Sequence, residues 1–373
     1  MAHSHVDPDG LMEFSVVFTD RSLNHMSAVF QQVMRDISGM LKDVYKADHV
    51  AIVPGGGTYG MEAVARQFGS GAHALIVRNG WFSYRWTQIF DAGQFTAKTT
   101  VFKARQAGND TRAPFAPAPI EDVTQAIREA RPDVVFAPHV ETSAGIILPD
   151  DYITQLAAAA HEVGALMVLD CIASGCVWVD MAATGVDVLI SAPQKGWSAS
   201  PSAGLVMMSN RAKERLDNTA SNSFAIDLKK WSSIMEAYEN GGHAYHATMP
   251  TDALRAFRDT MVETRDYGFE KLRDAQWELG NAVREMLREK GIKSVAADGY
   301  GAPGVVVSYT DDPDIQNGKK FAALGMQIAA GVPLQCDEPS DFRTFRLGLF
   351  GLDKLYDVAG TVERLRGIVD QVL

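Results

Sequence analysis

The sequence predicts an α/β protein in which a large domain on a mainly parallel sheet precedes a small C-terminal α+β domain. Three observations carry that expectation. Between residues 50 and 208, short apolar runs of strand length alternate with stretches of helical period, the pattern of parallel strands joined by crossover helices. Those runs are apolar throughout rather than alternating, as strands covered on both faces should be. A chain of 373 residues also exceeds one ordinary core, so two domains are expected.

Taken in order, residues 1–25 form an N-terminal segment, 26–255 the large domain and 256–373 the small one. A helix is expected over 26–45, where Met26, Val29, Phe30, Val33, Met34, Ile37, Met40, Leu41 and Val44 recur at helical spacing. A strand at 50–54 runs into the glycine-rich turn Gly55-Gly-Gly-Thr-Tyr-Gly60, and a helix follows at 61–68. The next strand, 74–79, leads through Asn79-Gly80 to four rings, Trp81, Phe82, Tyr84 and Trp86, at the start of another helix. At least two of those rings belong in the core. Strands follow at 133–139, 165–170, 186–190 and 204–209, with a helix at about 150–163. Helices dominate from about 225 to 292. Beyond them come strands at 304–308 and 342–347, a helix at about 316–326, and a terminal helix with Leu355, Val358, Val362, Leu365, Val369 and Val372 on one face.

A hydrophobic content of 46% with 22% charged residues is that of a soluble globular protein. The formal charge of -11 argues against nucleic-acid and acidic-membrane partners, which need clustered Lys and Arg. Small-molecule chemistry is the expectation that remains. Cys171, Cys176 and Cys336 have neither zinc-site nor disulfide-framework spacing, which fits a reducing cytoplasm. The apolar stretch at 14–18 is too short for a membrane span and lacks the basic flank of a signal peptide. His3 and His5 read as part of a polar tail rather than a metal site.

Reactive side chains gather where strands end. Lys195 follows the run at 186–190, in a loop of small residues that should line a crevice. A solvated loop lysine is the plain alternative; a partly desolvated one can form Schiff bases with carbonyl compounds such as pyridoxal phosphate. Asp170 lies 25 residues earlier, one strand-crossover-strand unit away. The carboxyl ends of neighbouring parallel strands emerge on one edge, so a carboxylate there can keep a pyridine nitrogen protonated beside the lysine. The turn at 55–60, set between strand and helix, makes an anion site.

Gly55, Gly57 and Gly60 also match a dinucleotide fingerprint, which needs an acidic residue at the end of the next strand. That strand ends in Arg78 and Asn79, so only a 2′-phosphate on Arg78 could rescue the reading. Thr58 favours a single phosphate monoester. Thr142 and Ser143 place two hydroxyls at another strand end, where they either face a ligand or cap a turn.

Together these motifs resemble fold-type I pyridoxal-phosphate enzymes of the class V aminotransferase group, most closely the alanine:glyoxylate and serine:pyruvate aminotransferases. The resemblance runs from about Asn24 to the C-terminus with the motifs in family order. It implies that Gly57 and Thr58 cradle the cofactor phosphate, that Phe82 stacks on its ring, and that Thr142 and Ser143 lie near its phenolic oxygen. Asp170 takes the pyridine-nitrogen role and Ile172 the apolar contact on the other face. Gln194 helps hold the phosphate, and Lys195 is the Schiff-base lysine. Tyr245 and Thr248 resemble residues that reach the neighbouring subunit's phosphate, which implies a homodimer with shared sites. Arg346 resembles the arginine that grips the substrate carboxylate, a pairing that suits a guanidinium fork.

The implied activity is ping-pong amino-group transfer from a small amino acid to a 2-oxo acid such as glyoxylate or pyruvate. The chain departs from the family at His5-Val-Asp-Pro-Asp-Gly10, at Trp197 and at Ser200-Pro-Ser-Ala, which bears on the substrate rather than the cofactor. Rivals within the fold are a cysteine desulfurase, with Cys336 ten residues before Arg346, and a 2-aminoethylphosphonate transaminase. Members of those groups place histidine or asparagine, respectively, before the lysine, where this chain has Gln194. A cofactor-binding regulator without turnover is the reading outside enzymology, and Lys195, Asp170 and Arg346 together argue against it.

Overall fold

The computed structural model describes residues 5–17 and 19–373; His3 lies outside them. Its first helix, α1 (Ala28–Tyr45), starts where Ser27 accepts a hydrogen bond from the Phe30 N–H at 3.1 Å. Phe30, Val33, Met34, Ile37, Met40 and Leu41 are buried along it as the spacing anticipates, each fully buried apolar side chain contributing about 1.5–3 kcal/mol. Val29 is exposed, so the apolar stripe is narrower than the sequence suggests.

The elements that build the site follow as β1 (His49–Pro54), α2 (Gly57–Phe68), β2 (His73–Arg78), α3 (Trp81–Gly93), β3 (Lys98–Lys103), α4 (Ile120–Ala130), β4 (Val134–Pro138), α5 (Asp150–Glu162), β5 (Leu166–Asp170), β6 (Val188–Ser191) and β7 (Ala203–Met208). These strands form one seven-stranded sheet in the order β1-β7-β6-β5-β4-β2-β3. All its pairings are parallel except the two made by β7. Every residue of β4, β5, β6 and β7 is buried, which accounts for their unbroken apolar runs.

Parallel pairing brings β2, β4, β5 and β6 to one carboxyl edge, and the two antiparallel pairings of β7 bring β1 to the same edge. The register sets Asp170 opposite both Pro138 and Ile190, so the loops after β4, β5 and β6 leave side by side. Helix α2 begins four residues earlier than its apolar pattern suggests, taking Gly57 and Gly60 into its first turn. Glycine is a poor helix former, but close packing demands it here. A Cβ on Gly204 of β7 would lie 2.6 Å from the Gly60 nitrogen and 2.9 Å from the Gly56 oxygen.

Helices α6 (Asn210–Asp217), α7 (Leu228–Glu239), α8 (Thr251–Tyr267) and α9 (Phe269–Glu289) lead to a second sheet of β8 (Val305–Tyr309), β9 (Ala329–Ala330) and β10 (Thr344–Gly348), antiparallel in the order β8-β10-β9. Helix α10 (Val358–Val372) closes the chain. Leu254, Phe257 and Met261 of α8 belong to the core around the large sheet, while Leu272, Leu279 and Val283 of α9 pack in the core around the small one.

Two expected helices differ. The one near 316–326 is a pair of single turns, Pro313–Gln316 and Lys319–Ala322, separated at Gly318, whose φ is +83°. Leu355 lies in a separate turn, Leu352–Leu355, because Asp357 caps the Gly360 N–H and starts α10 afresh. Among the described residues no helix is long and apolar enough to cross a membrane, and no group of three or more His, Cys, Asp or Glu could hold a metal ion.

Gly204→Ala drives a methyl into the backbone of α2, so it should cost about 1–3 kcal/mol. Urea denaturation should register a lower midpoint with an unchanged slope; a variant as stable as the parent would contradict the close approach of α2 to β7.

Candidate active site

The carboxyl edge of the large sheet carries a connected set of side chains. Gly55 turns the chain out of β1 at φ +122°, a conformation open chiefly to glycine. Gly56, the N-cap of α2, offers no side chain to the first-turn N–H groups. Tyr59 and Gly60 give their N–H groups to the Gly56 carbonyl at 2.9 and 3.2 Å, which leaves those of Gly57 and Thr58 to an anion at the positive end of the helix. Thr58 stands exposed beside them, and the Arg85 guanidinium donates to its hydroxyl at 2.9 Å. The Gln194 side-chain oxygen and the Ser202 hydroxyl are buried without a hydrogen-bond partner; the Ser202 carbonyl accepts the Gly55 N–H at 2.9 Å. Unpartnered buried polar atoms of this kind fit a missing polar ligand.

Asp170, 7% exposed, ends β5 and accepts the Ile172 N–H at 2.9 Å. Burial pushes its carboxyl up to about 7; the nearby Glu141 charge adds to that rise, while the Ile172 N–H and Arg85 oppose it. A cation placed against Asp170 would restore its charge, and a protonated pyridine nitrogen is such a cation. Ile172 packs on the α2 cradle, its Cδ1 2.5 Å from where a Cβ of Gly57 would stand.

Lys195 is half-buried in the loop after β6, and its ammonium lies 5.1 Å from the centroid of the Phe350 ring. Burial, and secondarily the Arg346 charge, lowers its pKa and favours the free amine. Arg346 comes from β10 of the small sheet. Its Nε donates to the Ala330 carbonyl at 2.8 Å, and its guanidinium lies 5.6 Å from the Phe82 ring centroid. Arg85 lies 5.3 Å from the same centroid. The Phe82 ring is thus within reach of both the cation at the α2 cradle and the cation from the small sheet.

Of the four rings at the start of α3, only Trp86 is buried, 4.4 Å from Phe136; Trp81, Phe82 and Tyr84 are half-exposed. The expectation of two core rings is corrected: α3 turns one aromatic face to the crevice. Arg78 is buried, donates to the Gln335 carbonyl and the Thr87 hydroxyl, and stacks over Tyr84. Both terminal nitrogens of Arg78 are thus taken, and only its buried Nε is left without a partner for a 2′-phosphate.

Thr142 and Ser143 are both buried at the same edge. Ser143 accepts the Trp81 N–H at 2.9 Å and donates to Glu141 at 2.7 Å, so it also ties β4's loop to α3. Tyr245 and Thr248 do not join the crevice: both are exposed, and they pair with each other at 3.3 Å. Trp197 is fully buried among Tyr45, Trp178, Phe257 and Phe269. It is a core residue and lines no pocket wall.

Sequence reasoning missed Arg85, Phe350 and Glu141. The last is a wholly buried carboxylate whose partners lie up to 59 residues away, so no local pattern announces it. Cys336 is buried, with its sulfur 3.4 Å from the Arg78 carbonyl oxygen, and burial raises its thiol to about 12. That is a poor setting for a nucleophilic thiolate.

Comparison with known proteins accords with this geometry. The soluble hydrogenase small subunit of Synechococcus sp. is 24% identical over 353 residues, covering 94% of this chain and 88% of that protein. Alanine–glyoxylate aminotransferase 1 of Saccharomyces cerevisiae is 25% identical over 330 residues, covering 83% of this chain and 82% of its own. Among solved structures, an alanine–glyoxylate aminotransferase from Nostoc sp. superposes with a TM-score of 0.79 at 23% identity, over 94% of this chain and 89% of that one. That likeness is one of fold, the fold-type I architecture. The aminotransferase class-V family matches residues 13–302. With that match spanning most of its length, the chain belongs to the class-V aminotransferases, a pyridoxal-phosphate-dependent family.

Proposed function

We propose that this enzyme moves an amino group from a small amino acid, alanine or serine in kind, to glyoxylate or pyruvate by a ping-pong sequence. The observation that carries the reading is the parallel register of Ile190 with Asp170, since it sets a buried carboxylate beside the loop that holds a desolvated lysine. Bound at this edge, pyridoxal phosphate supplies an electron sink for the charge left on the donor Cα. Gly57, Thr58 and Gln194 would hold its phosphate at the α2 N-terminus, where Arg85 already reaches Thr58. Phe82 and Ile172 would flank the ring, with Thr142 and Ser143 beside its phenolic oxygen.

Asp170 would hold a proton on the ring nitrogen and stay charged in doing so. The Lys195 amine, its pKa lowered by burial and secondarily by Arg346, would take the proton from the donor Cα. Arg346, its Nε fixed on Ala330, presents its remaining N–H groups as a fork for the donor carboxylate. The buried, raised Cys336 thiol counts against the desulfurase alternative.

Tyr245 and Thr248, exposed in the single chain, would complete the phosphate site of a second copy in a homodimer. Residues 26–255 would then form the cofactor-binding domain and 256–373 the small domain, with α8 bridging them. Three free, buried cysteines suit a cytoplasmic enzyme.

Borohydride reduction of the loaded enzyme should fix the cofactor on Lys195, detected by peptide mass mapping. Lys195→Ala should lose the label and at least about 10²-fold in kcat; a label elsewhere would sink the assignment. Arg346→Ala should weaken kcat/KM for the donor by about 10- to 150-fold, the range of a hydrogen bond to a charged group. Unchanged kinetics would free Arg346 of its role.

Asp170 gives a pH test on cofactor-free protein. Its folded pKa, about 7, lies above the ordinary 3.8, so the native state binds its proton more tightly. That stabilisation is complete below pH 3.8 and disappears as the pH rises through 7. Asp170→Asn should therefore gain stability relative to the parent between those limits, measured as urea midpoints. Parallel pH curves would contradict it.

A further inference from the structure

We propose that Glu141 is a positioning residue for this site, a reading that rests on the function proposed above. Its carboxylate is wholly buried and accepts hydrogen bonds from five donors. One oxygen takes the Phe82 N–H at 3.2 Å, the Ser143 N–H at 3.1 Å and the Ser143 hydroxyl at 2.7 Å. The other takes the Ser83 N–H at 2.8 Å and the Ser83 hydroxyl at 2.7 Å. The carboxylate therefore bolts the first turn of α3 to the loop after β4. The fit is tight: a Cβ on Gly80 would lie 2.8 Å from the Glu141 Cδ and collide with the Ser143 hydroxyl.

Two consequences follow for the crevice. Glu141 fixes the backbone that carries Phe82, and thereby the ring that both Arg85 and Arg346 approach. It also fills the positive end of α3 with the chain's own negative charge. Helices α2 and α3 both start at this edge; Glu141 occupies the N-terminus of α3, whereas Gly56 places no side chain on that of α2. Glu141 thus acts on the cofactor ring through Phe82 and Ser143, while none of its five donors comes from α2 and only Arg85, further along α3, reaches the cradle at Thr58.

That division supplies the test. Glu141→Gln keeps the size of the side chain but sets an NH₂ against N–H donors. Pyridoxal phosphate binding is followed by intrinsic tryptophan fluorescence, and inorganic phosphate by its competition against pyridoxal phosphate. In Glu141→Gln the pyridoxal phosphate Kd should rise at least about tenfold, as for the loss of a hydrogen bond to a charged group. The inhibition constant of inorganic phosphate should stay within about twofold of the parent, because the α2 cradle is intact.

Glu141→Asp should recover part of the loss. Ser83→Ala, which removes one of the five donors and leaves the charge in place, should weaken pyridoxal phosphate in the same direction by about two- to fivefold; it carries the test if Glu141→Gln does not fold. Equal weakening of both ligands, or no change in either, would overturn the positioning role. A parent protein that binds no pyridoxal phosphate would overturn the proposed function, and this inference with it.

Discussion

Parallel pairing of β4, β5 and β6 is the constraint on which the rest depends. A hydrogen-bonded register cannot slip by one residue without turning every buried side chain to the opposite face. In strands buried throughout, as these are, the register is held by packing on both sides. Asp170, His139 and the lysine loop consequently leave the sheet from fixed neighbouring points, with the His139 N–H bonded to the Asp170 carbonyl at 2.8 Å. Local geometry then needs only short loops.

Electrostatics at this edge is sorted by burial. Lys195 and Arg346 are each pushed toward neutrality by burial, Asp170 toward its protonated form, and Glu141 holds five donors. Of these four, Glu141 has the most hydrogen bonds from the chain itself. Asp170 has one donor from the chain, the Ile172 N–H, and Arg346 gives one hydrogen bond, to the Ala330 carbonyl. His139 stands outside this group: buried against the Ser174 hydroxyl at 2.7 Å, with burial lowering its pKa to about 4, it stays neutral and structural.

Much of the architecture was legible because fully buried parallel strands write themselves as continuous apolar runs. Asp170 and Lys195 stood out as polar residues where such runs stop. Legibility failed where tertiary contacts overrule local preference. Gly57 and Gly60 read as a loop, yet they enter α2 because Ile172 and Gly204 press against them. Val29, Trp81, Phe82 and Tyr84 follow helical spacing yet are exposed or half-exposed, while Trp86 is buried, which a one-dimensional pattern cannot separate. Trp197 looked like a pocket residue from its place beside the lysine; one residue further along, the chain at Ser198 adopts φ +57°. Glu141 escaped notice because all but its Ser143 contacts come from a helix far back in the sequence.

The single antiparallel strand has a mechanical meaning. Every other chemistry-bearing loop at this edge leads away toward a crossover, but the loop holding Lys195 returns at once into β7, whose Leu205 pairs with Ser191 at its root. Gly196 is seated against the Gly175 carbonyl, and Ser198 accepts the Leu352 N–H at 3.2 Å. The lysine is mounted on an arch clamped at both feet and braced at its crown. With its backbone held in this way, the amine's reach between partners rests on rotation about its own four-carbon stem.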